Sequence, residues 1–262
     1  MDLQLRDKVM LITGGAMGIG GAICKALVRE GAIPVIIDKN AEAGERLKSE
    51  IEDADGSCLF IPGELADPEA CRKAVATAAA QFGHIDGLVN NAGVNDGVGL
   101  EHGDYHRFIQ SLHNNLIHYY MMAHYCLPYL KSTCGSIVNI TSKTSVTGQG
   151  GTSAYAAANG ARNALTREWA VELLKYNIRV NAIVVSECWT PQYERWIQTL
   201  PDAAATLAMI HSRIPLQNRM TTPEEIADTA IFLLSGRSGH TTGQLVYVDG
   251  GYVHLDRALI KK

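Results

Sequence analysis

The chain has 262 residues, 47% of them apolar, and 25 glycines, which suits one α/β domain with a large core and many tight turns. Its net charge of −4 leaves no basic footprint, so nucleic acid is not an expected partner. No apolar run reaches the ~20 residues that span a bilayer, and Met1–Arg6 is too polar for a signal peptide, so neither a membrane nor export is expected.

The first apolar run, Val9–Thr13, reads as a buried strand, and a helical pattern follows over Ile19–Glu30. Between them lies Thr13-Gly14-Gly15-Ala16-Met17-Gly18-Ile19-Gly20. Gly14 permits a tight turn, while Gly18 and Gly20 let backbone approach a pyrophosphate that faces the helix N-terminus. The spacing is G-x-x-x-G-x-G rather than the usual dinucleotide fingerprint. A second strand, Ile33–Ile37, is followed by Asp38. An acid there accepts both ribose hydroxyls of an adenosine and repels a 2′-phosphate, which favours NAD over NADP; Lys39 softens that preference. A helix over Ala41–Glu52, a strand over Ser57–Ile61 and a helix over Pro68–Phe82 come next.

The fourth strand, Gly87–Asn90, runs into Asn90-Asn91-Ala92-Gly93, whose small residues leave room for a flat ligand. Asn90 suits bridging backbone groups across a sheet. His113, His118 and His124 share one region with Tyr119, Tyr120 and Tyr125, as expected of a long helix packed on a neighbouring subunit. After a strand at Ser136–Ile140, Ser142 precedes Tyr155 by thirteen residues, on a helix predicted over Ala154–Tyr176. That pairing behind a nucleotide loop points to hydride transfer. Strands at Val180–Val184 and Leu245–Val248 complete seven. Such alternation predicts a Rossmann-type, doubly wound parallel sheet with helices on both faces, one domain over residues 1–262. Pro191–Arg219 interrupts the rhythm and predicts a helical lid over residues 191–219. Cys24, Cys58, Cys71, Cys126, Cys134 and Cys188 form no C-x-x-C pair and read as reduced thiols of a cytoplasmic protein. The nine histidines have no metal-ligand spacing, so no metal is expected.

Thr13–Gly20, Asn90–Gly93, the Ser142/Tyr155 spacing and Val248-Asp249-Gly250-Gly251 occur in order at the separations of one family. Over nearly its whole length the chain resembles a short-chain dehydrogenase/reductase. That resemblance implies a seven-stranded sheet, Ser142 as hydrogen-bond partner of the substrate oxygen and Tyr155 as proton exchanger. It also implies that Asn115 supports a proton-relay water, with Asn114 as its neighbour. Gly14, Met17, Gly18, Ile19, Gly20, Asp38, Glu64, Leu65, Asn91, Ala92, Gly93, Tyr155, Asn159 and Thr190 would meet the dinucleotide, and a homotetramer is implied. Asn91–Leu100, Asn115–Tyr120, Ser142–Thr144 with Val146–Gly150, and His254–Leu259 are similar to the L-fucose dehydrogenase branch. This implies NAD-dependent oxidation of an aldopyranose at the anomeric carbon to a lactone. Asn95, Asp96, Ser142, Lys143, Gln149, Tyr155, Glu187, Trp189 and Tyr193 are the substrate candidates, with Trp189 placed to stack on a sugar ring.

Three positions depart from the family pattern. Asn159 stands four after Tyr155, where a lysine is usual. A phenol of pKa near 10 needs a depression of about 3 units, roughly 4 kcal/mol, to act near neutrality. An amide brings no charge for this, so turnover should fall by roughly two orders of magnitude, with dinucleotide binding retained. Arg162, two turns along the same face, either approaches the tyrosine or points to solvent or a partner subunit. Lys143, next to Ser142 at a strand end, is expected to face the other way. Glu187-Cys188-Trp189-Thr190 replaces the family's usual Pro-Gly, and Glu64 replaces an aspartate. Three readings stay open: a sugar dehydrogenase, an alcohol or hydroxysteroid dehydrogenase, and a nucleotide-binding pseudoenzyme.

Overall fold

The computed structural model describes residues 1–256. Seven parallel strands make one sheet: β1 (Val9–Thr13), β2 (Ile33–Asp38), β3 (Leu59–Pro62), β4 (Gly87–Asn90), β5 (Ser136–Ser142), β6 (Arg179–Val185) and β7 (Leu245–Val248). Their order is β3-β2-β1-β4-β5-β6-β7. Strand order therefore reverses beside β1, which pairs with both β2 and β4. A crevice opens at the carboxyl ends of the strands at such a switch point.

The helices are α1 (Gly18–Arg29), α2 (Ala41–Glu52), α3 (Pro68–Phe82), α4 (Tyr105–Leu112), α5 (His118–Thr133), α6 (Ser153–Glu172), α7 (Pro191–Ile197), α8 (Ala203–Ser212) and α9 (Pro223–Leu234). Successive strand residues face opposite sides of the sheet, and the core divides accordingly. Met10, Ile12, Ile36 and Val138 join Ile23 and Leu27 of α1 and Ile226 and Ala230 of α9. Val9, Leu11, Val35 and Ile137 join Val75 of α3, Met122 of α5 and Trp169 of α6. Burial on both faces explains why the strands read as continuous apolar runs.

Helix starts follow their caps. Asn40 Oδ1 accepts from the Ala43 N–H, and the Asp104 carboxylate accepts from Arg107 N–H. Thr222 and Glu225 form a reciprocal capping box at α9. The expected long histidine-bearing helix is instead three pieces: α4 and α5 are joined by a π-helical turn at His113–Ile117. The insertion after β6 contains α7 and α8. β5 and β6 run one or two residues beyond the sequence expectation at the end where the crevice opens, and β3 starts later. Arg257, Ala258 and Leu259, part of the carboxyl-terminal resemblance, lie outside the described residues. Among the described residues no helix is long and apolar enough to cross a membrane, and no cluster of His, Cys, Asp and Glu is placed to hold a metal ion.

Candidate active site

The crevice has a volume of about 1300 Å³. Its first half is built from the β1–α1 loop. Gly14 has φ +60°, and a Cβ there would stand 3.0 Å from the Ala92 Cα. Gly20 is closed against the same loop: a Cβ there would overlap the Gly14 carbonyl oxygen and lie 2.8 Å from Asn91 Nδ2. The loop is therefore a cradle that side chains would fill, the form that fits a pyrophosphate. Asn91 clamps it, its Nδ2 donating to the carbonyls of Thr13 and Gly14 at 3.0 Å each. The Thr13 hydroxyl oxygen accepts from Asn91 and Ala92 N–H at 2.8 and 3.1 Å.

At the end of β2, Asp38 accepts from Ala16 N–H at 3.1 Å and Asn40 N–H at 2.9 Å. Its carboxylate thus stands at the rim, fixed by backbone. Lys39 turns to Glu64, 3.3 Å away, in an exposed pair. Thr190 caps α7, accepting from Tyr193 N–H at 3.2 Å, and packs 3.5 Å from where a Gly18 Cβ would be.

The second half is built from side chains. Ser142 ends β5, and the chain then tightens into a 3₁₀ turn at Lys143–Ser145. That turn overrides strand alternation. Lys143, a substrate candidate expected by strand alternation to face away from Ser142, is buried and lines the same crevice. Its ammonium pairs with Glu187 and stands 4.2 Å from the centroid of the Tyr252 ring. The Tyr193 hydroxyl donates to the other Glu187 oxygen at 2.9 Å. Burial first, then the Glu187 charge, pushes the Tyr193 phenol far up, so it stays a donor. Tyr155, near the start of α6, also lines the crevice.

Asn115 sits in the π-helical turn and faces inward. Its Oδ1 accepts from Val94 N–H at 2.8 Å and its Nδ2 donates to the Ser111 carbonyl at 3.0 Å. Asn159 is buried, and its amide is engaged on both sides: Nδ2 donates to the Tyr155 carbonyl at 2.8 Å, and Oδ1 accepts from Arg162 Nη1 at 3.0 Å. Asn90 is a tie beneath the site. It donates to Asn139 Oδ1 at 3.0 Å, and Asn139 donates to the Thr166 hydroxyl at 2.9 Å.

Gly14, Met17, Gly18, Ile19, Asp38, Glu64, Leu65, Asn91, Ala92, Gly93, Asn95, Asp96, Ser142, Lys143, Gln149, Tyr155, Glu187, Thr190 and Tyr193 all line this one crevice. Four expected residues do not. Gly20 lies behind the loop and Asn115 behind Val94. Asn159 is turned onto its own helix, so its amide is not aimed at a dinucleotide ribose. Trp189 is partly exposed beside the crevice, its ring 6.1 Å from that of the lining residue Tyr193. Asp96 is partly committed, accepting from Ser111 at 2.8 Å.

His118, Arg162, Trp196 and Tyr252 also form the wall. Only Arg162 carried a sequence signal, its spacing from Tyr155. Tyr252 is brought in from beyond β7, which no local pattern reports. Cys188 lines the crevice too, but burial, reinforced by Glu224 and Glu225, pushes its thiol up to about 12. It stays protonated and is no nucleophile.

The family model described as Enoyl-(Acyl carrier protein) reductase matches residues 14–253. L-fucose dehydrogenase of Mus musculus is 35% identical over 245 residues, covering 93% of this chain and 88% of that one. A 3-oxoacyl-[acyl-carrier-protein] reductase of Thermotoga maritima is also 35% identical, over 96% of this chain and all of its own length. The crystal structure of Cj0485 dehydrogenase superposes with a TM-score of 0.94 at 48% identity, covering 100% of both chains. With a nucleotide cradle, a Ser142/Tyr155 pair and matches of this extent, the chain belongs to the short-chain dehydrogenase/reductase family of oxidoreductases, which use nicotinamide dinucleotides.

Proposed function

We propose that this protein oxidises the anomeric hydroxyl of an L-fucose-like aldopyranose to the lactone, with NAD as acceptor. One observation carries the reading: the Lys143–Glu187–Tyr193 cluster, with Lys143 buried and its two partners half-buried, opens into the same crevice as Ser142 and Tyr155. A sugar presents several hydroxyls at once, each donor and acceptor. A lysine and a carboxylate that cancel each other's charge offer both kinds of partner without selecting for an ionic substrate. A site that pairs hydroxyls in this way rejects analogues lacking them strongly. Likeness to the mouse L-fucose dehydrogenase supports the same substrate class.

NAD supplies the hydride acceptor when bound, and Gly14, Met17, Gly18, Ile19, Asn91, Ala92 and Gly93 would hold it. Asp38, fixed at the rim by two backbone N–H groups, favours a free ribose 2′-hydroxyl over a 2′-phosphate. Lys39 is turned to Glu64 and away from that choice. Ser142 orients the substrate hydroxyl and Tyr155 takes its proton. The 191–219 insertion acts as the lid: Trp196, Met209 and Ile210 line the crevice from above. A homotetramer accords with apolar side chains left exposed on α5 and α6, Tyr120 and Val171 among them, and six free cysteines suit a reducing cytoplasm.

The apolar lid wall favours a second reading, oxidation of an alcohol or hydroxysteroid. NADH absorbance across a panel of aldoses, cyclic alcohols and hydroxysteroids, between pH 6 and 10, separates the two. L-fucose-type sugars should give the highest kcat/KM. Calorimetric NAD binding with no NADH on any substrate at any pH would leave a pseudoenzyme.

A further inference from the structure

Arg162 is buried in the wall of the crevice, yet among the described residues no carboxylate pairs with it. Its seat is made of neutral oxygens and a ring. Nε donates to the Asn115 carbonyl at 2.6 Å, Nη1 donates to Asn159 Oδ1 and to the Ile140 carbonyl, and the guanidinium lies 4.1 Å from the Tyr119 ring centroid. The π-helical turn builds that seat, because its wider register leaves a carbonyl for a partner outside the helix. Nη2 is buried without any partner, and its nearest boundary is the space above Gly93, where a Cβ would stand 3.0 Å away. A buried cation with a spare donor and no counter-charge is costly unless an anion forms beside it.

We propose that Arg162 is the positioning residue that supplies the positive charge missing at residue 159, holding the Tyr155 phenol toward its ionised form. The proposal rests on the reading of Tyr155 as proton acceptor. Residues 155, 159 and 162 share one face of α6, and Asn159 links the other two by bridging the Tyr155 carbonyl to Nη1. In the proton step the substrate O–H breaks, its proton passes to the Tyr155 oxygen, and the phenolate charge that Arg162 favours is consumed.

The surroundings leave Arg162 as the uncompensated charge. On α5, His118 is held down to about 3, by burial first and Arg162 second, so it is neutral. Tyr119 is pushed up to about 12 by burial, with Arg162 acting against the rise and Tyr155 adding to it. After β5, Lys143 is paired with Glu187, which also accepts from the Tyr193 hydroxyl, and the Lys143 ammonium lies over the Tyr252 ring. On α4, Tyr105, His106 and Arg107 are exposed. β5 carries no titratable side chain, and β6 has only Arg179, at its opposite end.

The test is the titration of the Tyr155 phenol by tyrosine ¹³Cζ NMR without dinucleotide, the resonance being identified by its loss in Tyr155→Phe. In Arg162→Met the midpoint should rise by about one pH unit or more, a tenfold loss of phenolate at fixed pH. The kcat/KM–pH profile should move the same way. Arg162→Lys should stay near the parent, and Asn159→Lys placed in Arg162→Met should restore the parent midpoint. An unmoved midpoint in Arg162→Met overturns the proposal. If Arg162→Met does not fold, Asn159→Lys alone decides: with Arg162 present, kcat/KM should rise less than about tenfold, and a larger gain overturns it. Failure of the underlying reading looks different, as turnover would then survive in Tyr155→Phe.

Discussion

The two halves of the crevice hold their shape by different means. At the β1–β2 end the surface is backbone: Gly14 and Gly20 leave no room for a Cβ, and Asn91 and Thr13 pin the loop. At the β5–β6 end the surface is side chain. There Ser142 and Lys143 from the end of β5, Tyr155 and Arg162 from α6 and Glu187 from the loop after β6 converge. Backbone at a strand–helix turn can present N–H groups to any dinucleotide. Side chains from distant segments must be aimed one by one, and that is where substrate choice resides. The family match covers both halves; of the three departures, Asn159 and Glu187–Thr190 fall in the second, and Glu64, one methylene longer than the usual aspartate, falls in the first.

The comparison breaks most directly at Tyr155. Tyr155→Phe should lower kcat/KM by about 10²- to 10⁴-fold, the range of a lost acid–base group, while NAD binding by calorimetry stays within about threefold. Retained turnover would mean that the side-chain end does not perform the proton transfer. Next comes the buried pair. Glu187→Gln leaves the Lys143 ammonium without its partner and should cost up to about 3 kcal/mol in denaturant unfolding, less than a fully enclosed pair because the crevice admits water. It should also raise KM for the sugar about tenfold or more. Replacing both, Lys143→Met with Glu187→Leu, should recover stability but not sugar oxidation. If the double variant oxidises sugars normally, the cluster is structural only.

Gly20→Ala addresses the backbone half. The new Cβ would overlap the Gly14 carbonyl oxygen, so the loop must move. NAD affinity should fall about tenfold, or 1.4 kcal/mol, in calorimetry. Stability should change by less than about 2 kcal/mol, since the strain stays within one turn. An unchanged affinity would show that the loop gives way without disturbing the dinucleotide.

This contrast also explains what was legible in the sequence. The seven strands, the glycine loop and Asp38 follow from local rules: apolar runs, turn chemistry and an acid at a strand end. Lys143 did not, because the 3₁₀ turn after Ser142 cancels the alternation that a strand would impose. Asn159 was legible as a departure but not in its orientation, since an amide can bond its own helix as readily as a ligand. Arg162 had the right spacing, but its direction is fixed by tertiary partners, the Asn115 carbonyl at the π-helical turn and the Ile140 carbonyl at β5. A helical pattern across residues 105–133 gives no sign of that turn. Trp189 lies close in sequence to the site, but whether its ring reaches the crevice or only flanks Tyr193 depends on tertiary packing that no local pattern encodes.

The smallest effect sharpens the electrostatics of the side-chain end. His118 Nε2 bonds the Asn114 carbonyl, and Nδ1 is buried without a partner. The neutral ring with its proton on Nε2 satisfies the one bond available. A second proton would add a donor with nothing to receive it, close to Arg162. The folded ring therefore titrates at about 3 rather than 6.5. As pH falls through 6.5 the unfolded chain takes up a proton that the folded protein refuses. Stability contributed by neutral His118 is complete above 6.5 and declines toward 3, with a slope of at most about 1.4 kcal/mol per pH unit. Denaturant unfolding at pH 7, 6 and 5 should show a shallower decline in His118→Gln than in the parent, since the carboxylates titrate in both. Parallel declines would mean that the wall accepts a second cation beside Arg162. The crevice would then tolerate positive charge generally, and the need for an anion at Tyr155 would lose its force.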